Sequence, residues 1–148
     1  MKNVLRLNSV SPSLARSFLQ ADDRQRRQAA LVACLIAVSS VDLHGDDIDA
    51  AIGILRSGEI DSAGMRRTLK GLSRDLDSRY LQLVAEAGYV TPEVLLMFRK
   101  ARAISALVVA LAPDSTQLHE AVYEAIVASP NRIEAIQSVE KALKLPAG

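Results

Sequence analysis

The sequence predicts an all-α fold, a compact single-domain bundle of about six or seven helices. Three observations carry that expectation. Of 148 residues, 22 are Ala and 20 are Leu, while five are aromatic and none is Trp; Ala and Leu are strong helix formers, and strands favour aromatic and β-branched residues. Apolar residues recur at three- and four-residue spacing through most of the chain. Cap residues and Pro–Gly breakers fall where those periodic runs begin and end. With 49% apolar and 24% charged residues the balance is globular, and the length suits one domain with a self-supporting core. No period of repeat length recurs, and no linker separates domains.

Residues 1–10 carry no helix signal. Leu5 and Leu7 alternate with polar neighbours, so these residues are expected to form an arm or a short extended segment, with 11–148 as the helical domain. Ser11-Pro12 is an N-cap followed by proline at the first helical position. A first helix to about Gln20 is expected to bury Leu14, Phe18 and Leu19.

A second helix starts near Asp22 or Asp23, runs to about Leu43 and stops at His44-Gly45, with Gly45 as a left-handed cap. Its middle, AALVACLIAV, is apolar on every side and belongs at the centre of the bundle. A third helix from Asp46 or Asp47 carries Ile48, Ile52 and Leu55 on one stripe and ends at Gly58; Gly53 inside it suggests a close helix crossing. The fourth, from Asp61 to Gly88, has a narrow stripe of Met65, Leu69, Leu72, Leu76, Tyr80 and Leu83. Thr91-Pro92 opens a fifth helix to about Ala112. A sixth, 115–128, buries Leu118, Val122 and Ala125. Asn131 and Glu134 have capping-box spacing and open a seventh, with Ile133, Ile136, Val139 and Leu143 inward, stopping before Pro146.

The net charge of +1 argues against a polybasic nucleic-acid binder or an acidic mimic. The single cysteine, Cys34, allows no intrachain disulfide and points to a reducing, cytoplasmic setting. The longest apolar run, Ala29 to Val38, is too short to span a membrane. Leu31-Val32-Ala33-Cys34 has the form of a lipoprotein cleavage box, but Asp22 to Arg27 occupy the place of the apolar region that such a signal needs.

Motifs for chemistry are absent. His119-Glu120 begins like a zinc-protease helix, yet Tyr123 stands where the second histidine belongs, so His119 reads as a solvent-facing residue. Asp42, Asp46, Asp47 and Asp49 lack the glycine and glutamate of a calcium loop and read as helix-capping acids. No phosphate-cradling glycine loop and no nucleophile elbow occurs. Cys34 lies among Leu31, Val32, Leu35 and Ile36, where burial makes a thiol inert. No cofactor or metal is therefore expected.

Two features suggest contact with a partner. Arg66, Arg67, Lys70 and Arg74 fall within about 100° of arc, opposite the apolar stripe of the fourth helix. This is read first as a solvated face or a protein-docking one. The second feature is Val94-Leu95-Leu96-Met97-Phe98, five consecutive apolar residues that cannot all face one core, followed by Arg99, Lys100 and Arg102. Val94, Leu95, Met97, Phe98 and Arg99 are the expected partner-binding residues there, joined by the four cations of the basic stripe. The chain is thus expected to be a non-catalytic protein-binding domain, of adaptor, inhibitor or immunity type, whose partner is another protein or a second copy. No membrane partner is expected, and nucleic acid is the weaker alternative. That alternative is a DNA-binding regulator using Ile48–Arg74 as a helix-turn-helix-like unit. The other is an enzyme with dispersed acids in an interhelical cleft.

Overall fold

A computed structural model describes residues 6–58, 64–112 and 115–144. The described residues form eight α-helices and no strand: α1 (Leu7–Val10), α2 (Pro12–Gln20), α3 (Asp23–Ser40), α4 (Asp46–Ser57), α5 (Gly64–Ala87), α6 (Pro92–Leu111), α7 (Leu118–Ala128) and α8 (Arg132–Leu143). A 3-10 turn, Ser115–Gln117, leads into α7. The all-α bundle is as expected, and seven helices exceed one turn.

Side-chain caps hold four of the starts. Ser11 Oγ accepts from Leu14 N at 3.1 Å, and Thr91 Oγ1 from Val94 N at 3.2 Å. Asn131 Oδ1 accepts from Glu134 N at 3.1 Å. Asp22 and Gln25 form a reciprocal capping box, with each side chain accepting the other's backbone N–H. These contacts satisfy donors that a helix start leaves open. The cap expected at Asp61 lies outside the described residues.

The arm expected over residues 1–10 is corrected for 7–10, and residues 1–5 lie outside the described residues. Residues 7–10 form one helical turn, and Leu7 is fully buried in the core. Arg6 is tied by a forked hydrogen bond to Glu120 on α7, with its guanidinium 4.4 Å from the Tyr123 ring centroid. The expected cap at Gly45 also moves. Asp42 takes the left-handed conformation after α3, at φ 53°, while Gly45 at φ 137° is the N-cap of α4. No side chain caps α4, so Asp46, Asp47 and Asp49 favour its start through the dipole. Gly53 marks no close crossing, because a β-carbon there would meet nothing within 4 Å. Leu19 and Ile133, expected inside, are exposed.

Helix α3 packs against α4, α6, α7 and α8 and so forms the centre of the bundle, as its composition predicts. Its smallest residues make the closest contacts: Ala29, Ala30, Ala33, Cys34 and Ala37 are buried, whereas Leu31, Val32, Leu35 and Ile36 are half-covered at its flanks. Helix α6 is the second axis. Residues from Ala101 to Leu111 are mostly buried between α3, α5 and α7.

Candidate functional site: the distal end of the α5–α6 hairpin

Helices α5 and α6 form an antiparallel hairpin whose turn is Gly88 to Thr91, with Gly88 at φ 79°. Cross-helix contacts fix its register. Ser73 Oγ lies 3.2 Å from Ala101 O and 3.0 Å from Ser105 Oγ. Arg102 Nη2 donates to Asp77 Oδ2 at 2.6 Å. The Tyr80 and Phe98 rings stand tilted with centroids 5.4 Å apart.

The hairpin outreaches the bundle. Helix α6 has 20 residues and α7 has 11, which at 1.5 Å per residue makes them about 30 and 16 Å long. Because α7 follows α6 after a short connection, it runs back only along the C-terminal half of α6. Beyond that point α5 and α6 have chiefly each other to pack against. Within 92–100 the only buried residue is Val94, and α5 has no buried residue after Ser73.

The partner-binding residues expected from sequence distribute accordingly. Val94 is covered and supports the hairpin from inside; Leu95, Met97, Phe98 and Arg99 are half-buried. Phe98 spends one face on Tyr80 and has the Arg102 guanidinium 5.5 Å from its centroid. Leu96 is exposed, as are Leu72, Leu81, Tyr89 and Val90. Sequence reasoning passed over Leu81, Tyr89 and Val90, which belong to no apolar run. The signal available was the Gly88 turn, which puts its neighbours at a tip far from any core.

In the basic stripe, Arg67, Lys70 and Arg74 are exposed on α5 and Arg66 is half-buried. The two sets do not form one surface, since the stripe begins at the α4-proximal end of α5. The turn between α4 and α5, needed to compare the Ile48–Arg74 unit with a DNA reader, lies outside the described residues.

A chain of charges fastens the root of the hairpin. Arg102 Nη1 lies 3.5 Å from Glu124 Oε1 on α7, and Arg6 Nη2 lies 3.7 Å from the same oxygen. Burial pushes the Glu124 carboxyl above the usual carboxylate range, against the pull of both arginines. Arg102 Nε and His119 Nδ1 are buried without a hydrogen-bond partner, and His119 is half-buried where sequence suggested solvent. Both carboxylates of α7, Glu120 and Glu124, lie within ion-pair distance of an arginine.

Two further features bear on chemistry. A cavity of about 800 Å³ opens between α3, α4, α6 and the start of α7, with Leu31, Ile54 and Leu111 among its walls and Arg24, Arg27 and Arg56 beside it. Cys34 is fully buried, and burial pushes its thiol up to about 12. No group of three or more metal-ligating side chains occurs among the described residues. No described helix is long and apolar enough to cross a membrane.

No family model, curated protein or solved structure matches the chain.

Proposed function

We propose that this chain is a non-catalytic protein-binding domain, of adaptor, inhibitor or immunity type, and that it docks its partner through the distal end of the α5–α6 hairpin. One observation carries the reading. Of the seven large apolar side chains left exposed among the described residues, five (Leu72, Leu81, Tyr89, Val90 and Leu96) sit on α5, α6 or their turn. Four of them, Leu81, Tyr89, Val90 and Leu96, lie in the protruding part, and apolar residues concentrated there, with cations beside them, have the composition of an interface. Burying them against a second molecule is favourable by about 25 cal/mol per Å² before association costs.

The test compares tagged wild-type chain with Leu96→Glu and Tyr89→Glu in the source host, with Ile133→Glu as an exposed control elsewhere. The two hairpin variants are expected to lose a co-purifying protein that wild type and the control retain, with unchanged circular dichroism. Equal recovery by all four chains overturns the reading.

The exposed Arg67, Lys70 and Arg74 favour one other reading, contact with duplex DNA. It predicts binding that falls steeply with salt and is lost in Arg67→Ala with Arg74→Ala. The near-zero net charge weighs against it.

A further inference from the structure

One side of the distal hairpin carries a self-complementary pattern of charges. Asp77 pairs with Arg102 and Tyr80 stacks with Phe98, so a step forward along α5 matches a step back along α6. In that register Arg79 lies level with Lys100, and Glu86 lies level with Glu93 near the tip. The two levels are seven residues apart on each helix, about 10 Å.

All four charges lie on one side of the hairpin, those of α5 and α6 leaning outward from each other. Arg79 and Glu86 share a stripe with Leu72, Leu76 and Leu83 on α5; Glu93 and Lys100 share one with Met97 and Ile104 on α6. On their helices these four charges sit about 160–180° away from Asp77 and Arg102, which touch on the opposite side of the hairpin. Nearer the bundle the same side is covered: Ile104 is buried, Leu69 is buried, and α4 packs on both helices. Farther out it is open: Leu83 and Met97 are half-buried, as is Leu76 at the boundary, while Leu72, level with Leu107 on the bundle side of Ile104, is exposed. None of the four charges makes an ion pair within the described chain. In a single chain, then, cation stands level with cation and acid with acid.

We propose that this face binds a second copy of the chain, antiparallel, about a two-fold axis crossing the hairpin midway between the two charge levels. Each α5 then lies over its counterpart, and each α6 likewise. Arg79 meets Glu86 of the partner subunit, and Glu93 meets Lys100 of the partner subunit. Leu83 and Met97 close the centre. The exposed Tyr89–Val90 turn of each chain is carried toward Leu72 of the other, so both lose water contact together. The seven-residue spacing has the same length and opposite polarity on the two helices, which is what an isologous antiparallel contact needs. The proposal rests on the reading that the distal hairpin is a protein-docking surface, and it names the chain itself as the partner.

Light scattering and sedimentation equilibrium on the full chain test it. Wild type is expected to be dimeric at about 100 µM, where even a micromolar self-association is nearly saturated. Arg79→Glu with Lys100→Glu makes the face wholly acidic, and Glu86→Lys with Glu93→Lys makes it wholly basic. Each double variant is expected to weaken the dimer by more than about tenfold, while mixing the two restores a heterodimer. Circular dichroism confirms that each remains folded. A monomeric wild type at that concentration, or double variants that dimerise as wild type does, overturns the proposal. If wild type is monomeric yet Leu96→Glu still loses a co-purifying protein, only the identity of the partner falls. If the charge variants and Leu96→Glu all behave as wild type in both measurements, the docking surface falls as well.

Discussion

Arg102 reaches across the hairpin to Asp77 with a 2.6 Å hydrogen bond, and the same guanidinium stands 3.5 Å from Glu124 on α7. One side chain thus joins the protruding hairpin to the bundle. Arg102→Ala leaves Glu124 with only Arg6, at 3.7 Å, and is expected to cost about 2–4 kcal/mol, the scale of breaking a largely buried pair. Asp77 is 38% exposed, so Asp77→Asn is expected to cost less than about 1 kcal/mol. Urea unfolding of both variants checks this ordering; equal losses would assign the role of Arg102 to its bond with Asp77 rather than to Glu124.

Burial holds the Glu124 carboxyl above its ordinary value of 4.5. Over the pH window just above that value the native chain keeps a proton that the unfolded chain has released. Stability contributed by this group is therefore greatest below the window and falls as pH rises through it. Glu124→Gln cannot ionise, so it is expected to match wild type at about pH 4 and to melt higher at about pH 7. Thermal melts at the two pH values decide. A lower Tm for the variant near neutrality would mean that pairing with Arg102 and Arg6 outweighs burial.

Cys34 is expected to be inert in the native protein. Its thiol is fully buried and held at about 12, so reaction with a thiol reagent at neutral pH should proceed only as fast as the chain unfolds. Cys34→Ala is expected to cost about 1 kcal/mol through a small cavity. Cys34→Ser should cost more, because a hydroxyl there needs a partner. Labelling within seconds under native conditions would contradict the burial.

Thr91 caps the α6 start through its 3.2 Å contact with Val94 N. Thr91→Ala is expected to cost about 1 kcal/mol. Because residues 92–98 lie beyond the reach of α7, their amide exchange should accelerate more than that of 101–111. Uniform acceleration along α6 would show that the distal hairpin opens only with the whole bundle.

The helices were legible because periodicity, caps and breakers agree: Ser11, Asp22, Thr91 and Asn131 all cap where the apolar runs begin. Residues 7–10 were not, since a single turn has no period of its own, and its anchors, Glu120 and the core around Leu7, lie far along the chain. Leu19 and Ile133 were misplaced because an apolar residue at the edge of a stripe reads inward until the neighbouring helix is known to stop short. At the candidate site, the run Val94 to Phe98 was conspicuous, and the cations after it pointed correctly to incomplete cover. The sequence did not reveal which of the five side chains turns outward. That depends on the length of α7 relative to α6, a tertiary property. Tyr89 and Val90 carried no periodic signal at all.

Fifteen of the thirty-three buried apolar side chains among the described residues are alanines, including Ala29, Ala33 and Ala37 on α3 and Ala121 and Ala125 on α7. Such a core is lopsided in what change it tolerates. A methyl group offers little to remove, so trimming these sites opens only small voids. Enlarging one, as in Ala33→Leu or Ala121→Leu, forces two helix backbones apart and costs about 1–3 kcal/mol or more. Neutral drift in this chain should therefore run through the half-covered outer positions such as Leu31, Val32, Leu35 and Ile36. The alanine seams between helices should stay fixed, so distant descendants would keep a recognisable ladder of small residues long after their larger apolar side chains had been exchanged.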